Sequence, residues 1–321
     1  MKAIGFNEIN TLSISPESCY EWVEEMLQNK KDAFLPPKIH MPLDGNIFCN
    51  VMPSYVREEG GLIGGVKIVT RYPERTPSLD SRILIFDANN GNFLALLDGN
   101  WITAMRTGGV AAHSITLFAK EDFNEIGIIG LGNTARSSLL ILLSKFPQKE
   151  FNIRLLRYKD QAELFIERFV DYENIHFTVV EDVKDAIKGA HVVLSCATYF
   201  DKDICPNNCF DEGVLVVPVH TRGFTNCDLF FDKVFADDTG HVDHFKYFSQ
   251  FKSFAEVSDV LAGKSPGRQS DSERILVYNI GLSIHDIHYA YKIYSLMKED
   301  KGLFYHLPEV CLSEPKEKFW V

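Results

Sequence analysis

The stretch that decides the fold runs from Phe123 to Lys145 and reads FNEIGIIGLGNTARSSLLILLSK. Ile126, Ile128 and Ile129 form a short apolar run of the kind that builds a buried parallel strand. Glycines follow at once, and leucines then recur at helical spacing from Leu139 onward. The stretch therefore predicts a strand, a tight turn and a helix in that order.

The turn carries the pattern G-x-G-x-x-A at Gly130, Gly132 and Ala135. Gly130 permits the turn, Gly132 lets the backbone approach a pyrophosphate, and Ala135 lets the helix pack closely on the strand. The start of the helix, at Asn133 and Thr134, offers N–H groups and the positive end of its dipole to phosphates. We predict a dinucleotide site here; the alternative is a tight turn that binds nothing.

Composition places the chain among ordinary globular proteins. Its 321 residues are 45% hydrophobic and 24% charged. This length is enough for about two domains. The net charge of −11 argues against a broad nucleic-acid surface. We find no signal peptide and no apolar run of membrane-spanning length, so we expect a cytoplasmic protein. Cys205 and Cys209 lie four apart with no completing ligands, and we predict no metal site.

Strands and helices alternate after the glycine turn. Apolar runs that predict strands occur at 151–156, 176–180, 191–198, 214–219 and 274–279, with helical stretches between them. This alternation predicts a doubly wound parallel sheet of the Rossmann type, an α/β fold. Ligands of such sheets lie outside the carboxyl ends of the strands, where Thr198 and His220 stand.

The end of the second predicted strand bears on the cofactor. NAD-binding folds usually place an acid there for the ribose 2′-hydroxyl, but this chain reads Arg157-Tyr158-Lys159. Two cations suit a 2′-phosphate, so we favour NADP(H) over NAD(H). Simple solvation of both cations, and a later strand end that brings in Asp160, are the alternatives.

Strands and turns are also predicted before the fingerprint, between Ile47 and Leu97, and a helix from Trp101 to Leu117. Lys67 interrupts one apolar strand run, so it either points outward or points into a site. Arg106 lies in the helical stretch, where a solvated face is the usual position of an arginine.

The chain resembles the ornithine cyclodeaminase/μ-crystallin family over nearly its whole length. The segments that carry the resemblance are Pro36-Pro37-Lys38, Gly65-Val66-Lys67, Ile102–Thr107, Gly130–Ala135, Gly267-Arg268 and Gly281–Asp286. The resemblance implies a discontinuous α+β substrate and dimerisation domain, a homodimer, and an inserted Rossmann domain that binds NAD or NADP. We place the first at residues 1–117 and 299–321, and the second at 118–298.

The resemblance also implies site residues. Lys38, Lys67 and Arg106 surround the carboxylate of a small α-amino or α-imino acid, and Lys67 additionally serves catalysis. Such a clamp is chemically reasonable because a carboxylate needs fixed cations and arginine binds it bidentately. The residues expected at the cofactor are Thr107, Gly130, Gly132, Asn133, Thr134, Ala135, Arg157, Lys159 and Thr198.

Three positions depart from the family pattern. Lys38 stands where arginine is common, and the usual Arg-Thr-Ala-Ala reads Arg106-Thr107-Gly108-Gly109. Cyclodeaminases have an aspartate after the strand at 214–219, whereas this chain has His220. A histidine is a base but not a steady anion for a distal ammonium group, which makes ornithine a poorer substrate.

These departures favour an NAD(P)-dependent dehydrogenase or imine reductase of a small amino, imino or keto acid. His220 suits the acid/base role, with a structural histidine at the strand end as the alternative. Arg222 is a candidate second cation for a dicarboxylic substrate. Two other functions stay open: a cyclodeaminase that releases ammonia without net cofactor change, and a crystallin-like protein that only binds NADP(H).

Overall fold

The computed structural model describes residues 1–197, 200, 202–219 and 223–311. By their internal contacts the residues form two compact units. The antiparallel unit comprises Met1–Ile14, Asp32–Ile102 and the chain from Asp286 onward, and the parallel unit comprises Ser15–Lys31 and Thr103–His285. The predicted boundaries at 117/118 and 298/299 differ from these divisions, and the domain assignment stays a prediction.

The strands and helices follow in chain order. The strands are β1 (Lys2–Ile4), β2 (Ile39–Leu43), β3 (Ile47–Glu58), β4 (Gly61–Arg71), β5 (Leu79–Asp87), β6 (Phe93–Asp98), β7 (Glu125–Ile129), β8 (Phe151–Leu156), β9 (Ile175–Val180), β10 (Val192–Ser195), β11 (Leu215–Pro218), β12 (Lys233–Ala236), β13 (Phe254–Glu256) and β14 (Ile275–Tyr278). The helices are α1 (Phe6–Thr11), α2 (Pro16–Gln28), α3 (Asn100–Phe118), α4 (Asn133–Lys145), α5 (Gln161–Glu167), α6 (Val183–Ile187), α7 (Thr225–Phe230), α8 (Val257–Leu261), α9 (Ser283–Glu299) and α10 (Lys301–His306).

The parallel unit contains an eight-stranded sheet in the order β13-β12-β14-β11-β10-β7-β8-β9. Every pairing in it is parallel, and the apolar strands β10, β11, β12 and β14 are buried throughout. Two-sided burial explains their continuous apolar runs, since helices cover both faces of such sheets. The last strand, β14, lies between β11 and β12, and the order β9-β8-β7-β10-β11 is that of a dinucleotide-binding fold.

The antiparallel unit contains a six-stranded sheet in the order β1-β6-β5-β4-β3-β2. Its long hairpin strands β3, β4 and β5 alternate in burial, so one face is covered and the other meets solvent. β4 and β5 pair Lys67 with Ile83, which is fully buried. Lys67 thus lies on the covered face of its strand, while its neighbour Ile68 is 45% exposed.

Two local predictions from the sequence are wrong in part. The apolar run from Leu229 predicts a strand, but it completes helix α7, and the strand begins only at Lys233. The short outer strand β13 lies in a region that predicts helix and loop. The five residues of strand β2 are all exposed, so no alternation of burial marks it. Within the part of the chain that the structure describes, no helix is both long and apolar enough to cross a membrane.

Candidate active site

The glycine turn lies between β7 and α4, as the fingerprint predicts. Gly130 has φ +82°, and a β-carbon there would approach the backbone nitrogen of Ala197 to 2.6 Å. Only glycine tolerates both the left-handed backbone and this close approach to the chain after β10. A β-carbon on Gly132 would meet nothing within 4 Å, so the turn leaves open space where a pyrophosphate is expected.

The start of α4 suits a phosphate. Gly132 is its N-cap and provides no side-chain hydrogen bond, so backbone N–H groups of the first turn remain for an anion. Asn133 is exposed, Thr134 is half-buried, and Ala135 is fully buried against the sheet. Burial raises the pKa of the neighbouring Cys196 thiol to about 12, so no thiolate repels phosphate there. The residues present fit a dinucleotide.

Helix α3 packs against α4 in the same unit. A β-carbon on Gly108 would collide with Oγ of Ser137, whose hydroxyl donates to the carbonyl of Ala104 at 2.7 Å. This contact gives a structural reason for glycine at a position where the family usually has alanine. Thr107 lies on the same helix, half-buried, and its hydroxyl donates to the carbonyl of Thr103 at 2.6 Å.

The cations predicted to contact the 2′-position lie at the carboxyl end of β8. Nε of Arg157 donates to Glu181 Oε1 at 2.7 Å, and Nη1 donates to Glu163 Oε1 at 2.5 Å. These hydrogen bonds, to Glu163 first and then to Glu181, raise the pKa of the Arg157 guanidinium. Lys159 is exposed with φ +53°, and its Nζ lies 5.4 Å from the ring centroid of Tyr158.

A buried ion pair occupies the covered face of the antiparallel unit. Nζ of Lys67 on β4 donates to Oδ1 of Asp286 on α9 at 2.8 Å. The side chains are 1% and 0% exposed. A lysine buried this deeply needs an anionic partner to remain charged, because desolvation disfavours the ammonium. Asp286 places a carboxylate at hydrogen-bond distance from this ammonium.

Close packing places the aspartate on this face. A β-carbon on Gly65 would lie 2.5 Å from Cδ1 of Ile287, so glycine lets α9 approach the sheet. Lys67 follows two residues along the same face and meets Asp286. A second link joins the same helix and sheet, since Nδ1 of His288 and Oε1 of Glu58 are 2.6 Å apart with both side chains buried. Helix α9 is thus fixed to the sheet by two polar contacts.

Arg106 lies in the parallel unit on α3 and is 5% exposed, so it is not on a solvated face. Its guanidinium lies against Gly281, where a β-carbon would be 2.8 Å from Nη1. Gly281 has φ +86°, and its N–H donates to Oδ2 of the buried Asp237 at 2.9 Å. The conformation and the small size of Gly281 thus both support the position of Arg106.

The remaining predicted residues divide into two groups. Lys38 is half-buried, directly before β2 in the antiparallel unit. Thr198, His220 and Arg222 lie outside the described residues, so their predicted roles stay predictions.

Sequence reasoning missed the supporting residues. Gly281 and Asp286 were part of a motif but had no assigned role, and Glu163 and Glu181 were not considered. One signal was available: Lys67 and Asp286 each interrupt an apolar run, and two charges in buried segments are expected to pair. Nothing in the spacing indicated the glutamates at Arg157.

Comparison with known proteins identifies the family of the chain. The sequence profile of the ornithine cyclodeaminase/mu-crystallin family matches residues 6–301. The chain belongs to this family. It is 26% identical to N-((2S)-2-amino-2-carboxyethyl)-L-glutamate dehydrogenase of Staphylococcus aureus, over 79% of this chain and 80% of that protein. It is 29% identical to the ketimine reductase mu-crystallin of Macropus fuliginosus, over 79% and 82% of the two chains.

A solved structure shows the same fold. The Thermococcus litoralis Δ1-pyrroline-2-carboxylate reductase, in complex with NADH and L-proline, superposes with a TM-score of 0.81. It covers 94% of this chain and 98% of its own, at 23% identity. The comparisons confirm the predicted family and the predicted α/β fold class with two sheets. The names of the relatives, dehydrogenase and reductase, support the predicted oxidoreductase class.

Proposed function

We propose that the protein is an NAD(P)-dependent oxidoreductase that interconverts a small α-imino acid and the corresponding α-amino acid. The observation that carries this proposal is the buried Lys67–Asp286 pair, 2.8 Å apart at 1% and 0% exposure. A buried ion pair adds little stability compared with apolar residues of the same volume. Chemistry that uses the cation is therefore a better explanation for it than stability.

The cations of the chain have complementary roles in this proposal. Lys38, Lys67 and Arg106 hold the substrate carboxylate, with arginine able to bind both oxygens. Lys67, kept charged by Asp286, also withdraws electron density from the imine and so favours hydride addition at the α-carbon. The bound nicotinamide supplies or accepts that hydride.

A proton must reach the substrate nitrogen as the hydride reaches the carbon. His220 follows β11 by two positions in the sequence, and histidine as a residue type suits proton transfer near neutral pH. We assign it the acid/base role. Arg222, two positions later, is the proposed second cation for a dicarboxylic substrate. Thr198, three positions after β10 in the sequence, is proposed as a cofactor contact.

The cofactor is proposed to be NADP(H) rather than NAD(H). Arg157 and Lys159 stand at the end of β8, where the ribose 2′-substituent is expected. Thr107 and the glycine turn are the other proposed cofactor contacts. Arginine is the residue best suited to bind a phosphate, because its planar donors match the phosphate oxygens.

We also propose that the protein acts as a homodimer through the solvent-facing side of the antiparallel sheet. The apolar residues of that side that are exposed by more than a third are Ile39, Met41, Leu43, Tyr55, Ile68 and Phe93. This many exposed apolar residues on one face of a sheet favour a protein interface over an ordinary surface. Light scattering on Ile68→Lys, beside the wild type, tests it: the variant is expected to be monomeric.

One assay separates the candidate functions. The purified protein is mixed with NADPH or NADH and a panel of cyclic α-imino acids, and of α-keto acids with amines. A reductase oxidises the nicotinamide in proportion to the product. A cyclodeaminase releases ammonia from a diamino acid with no net change in the nicotinamide. Tight cofactor binding with neither reaction would support the binding protein.

A further inference from the structure

The carboxyl end of β8 holds a charged group of four residues, the ribose-end cluster: Arg157, Lys159, Glu163 and Glu181. β8 and β9 are paired in parallel with Leu156 opposite Val180, so the next residues, Arg157 and Glu181, emerge side by side. The backbone N–H of Arg157 continues the ladder by donating to the carbonyl of Val180 at 2.9 Å. Glu163 reaches the same guanidinium from the first turn of α5.

The two carboxylates bind different edges of the guanidinium. Glu181 accepts from Nε and Glu163 accepts from Nη1, so each of the two edges that would fork a phosphate already has one donor engaged. The charges also cancel: two cations and two carboxylates give the cluster no net charge. A cationic pocket inferred from Arg157 and Lys159 alone is therefore incomplete.

The two ion pairs of Arg157 are exposed, and this exposure determines their effect on stability and on anion binding. The side chains of Arg157, Glu163 and Glu181 are 36%, 58% and 75% exposed. Exposed ion pairs contribute little to stability and exchange readily with other anions. The free energy by which they hold Arg157 in place is accordingly small. A bound 2′-phosphate carries nearly two negative charges and would meet two more, so its repulsion by the two carboxylates is a larger effect.

We propose that Glu163 and Glu181 are specificity-determining residues that lower the preference of the site for NADPH over NADH. They compete with the 2′-phosphate for Arg157 and repel it, whereas the neutral 2′-hydroxyl of NADH is able to donate a hydrogen bond to either carboxylate. The ratio of the two cofactor affinities is thus set by the acids around Arg157 as well as by Arg157 itself. This inference rests on the proposed cofactor site at the end of β8.

The test is fluorescence titration of the full-length protein with NADPH and with NADH. Glu163→Gln and Glu181→Gln keep the size of the side chain and an acceptor oxygen but remove the charge. Each is expected to lower the Kd for NADPH about fivefold, because a unit charge is removed a few ångströms from the phosphate. The Kd for NADH is expected to stay within about twofold of the wild type.

Glu167→Gln is the matched control. Glu167 is exposed and ends the same helix one turn after Glu163, so the variant changes the net charge equally without touching Arg157. It is expected to leave both affinities unchanged. Equal gains for NADPH and NADH, or the same gain from Glu167→Gln, would overturn the inference in favour of a general charge effect.

Different results would refute the proposed function and the proposed role of the glutamates. If the wild type binds neither nucleotide, the cofactor site itself is refuted and this inference with it. If the wild type binds both, and the glutamine variants leave the affinity ratio unchanged, only the role of the glutamates is refuted. Arg157→Ala should then still show whether the arginine contacts the 2′-phosphate, by a selective loss of NADPH affinity.

Discussion

Two regions of the molecule hold their charged side chains in opposite environments, one buried and one exposed. Lys67 and Asp286 are buried at 1% and 0% exposure, whereas Arg157 and its two glutamates are 36% to 75% exposed. In the buried region the partner is fixed, because loss of either member leaves an uncompensated charge in the interior. At the exposed cluster the partners are exchangeable, because water and salt compensate for each loss. The buried pair maintains one charge state, and the exposed cluster adjusts selectivity.

The largest expected effect comes from breaking the buried pair. Asp286→Ala leaves the Lys67 ammonium without its carboxylate, and we expect the free energy of unfolding to fall by about 3–5 kcal/mol. The double variant Lys67→Met/Asp286→Leu removes both charges and should recover most of that stability. Chemical denaturation of the three proteins measures this. A double variant no more stable than Asp286→Ala would show that packing, rather than charge, accounts for the loss.

Among the residues that the structure describes, the buried carboxylate of Asp228 has no ion-pair partner. Oδ1 of Asp228 accepts a hydrogen bond from the Tyr278 hydroxyl at 2.8 Å, and burial raises the pKa of Asp228 from 3.8 to about 7. The folded state therefore holds the proton more tightly than the unfolded chain. This contribution to stability is complete below pH 4 and is lost as the pH rises through 7.

Asp228→Asn should remove that pH dependence. The amide keeps an acceptor for Tyr278 but does not titrate in this range. Between pH 5 and pH 8 we expect the wild type to lose about 2 kcal/mol more stability than the variant. Denaturant unfolding at the two pH values measures the difference. Parallel pH profiles for the two proteins would contradict this account of Asp228.

The next comparison separates displacement of Arg106 from backbone strain at a glycine of positive φ. Gly281 and Gly263 have φ +86° and +68°, but only Gly281 has a neighbour that a β-carbon would crowd, Arg106. Alanine at either position should cost about 1 kcal/mol in stability through strain. Only Gly281→Ala should also displace Arg106 and reduce kcat/KM, by about tenfold or more. Equal kinetic losses in both variants would mean that Arg106 does not bind substrate.

The smallest effect on stability is expected at the exposed cluster. Arg157→Ala should leave the thermal unfolding midpoint unchanged, because exposed pairs contribute little. It should nevertheless weaken NADPH binding selectively, leaving NADH binding close to that of the wild type. Calorimetry and fluorescence titration measure the two properties. A marked drop in the unfolding midpoint would refute the contrast between the buried and the exposed charges.

Local patterns predicted most of the fold. The runs at 151–156 and 176–180 are β8 and β9 within one residue, and the glycine turn lies where its spacing predicts, because these signals are local. The apolar run that begins at Leu229 predicts a strand but first completes helix α7, since apolarity alone does not distinguish the end of a helix from a strand.

The site was less predictable, because its contacts are distant in sequence. Lys67 and Asp286 are 219 positions apart, and only the folded chain shows that Gly65 lets α9 come close enough for them to meet. The glutamates around Arg157 depend on the register of β8 with β9, which no composition signal specifies. The cations themselves were predictable from residue type and family resemblance, but their partners were not.

The most direct test of the central claim compares the wild type with Lys67→Met/Asp286→Leu in the reduction of cyclic α-imino acids. Oxidation of NADPH or NADH is followed together with ammonia release. We expect the wild type to oxidise the nicotinamide without releasing ammonia, and the folded double variant to bind the cofactor without turnover. A double variant as active as the wild type, or a wild type that reduces no imino acid, would contradict the central claim.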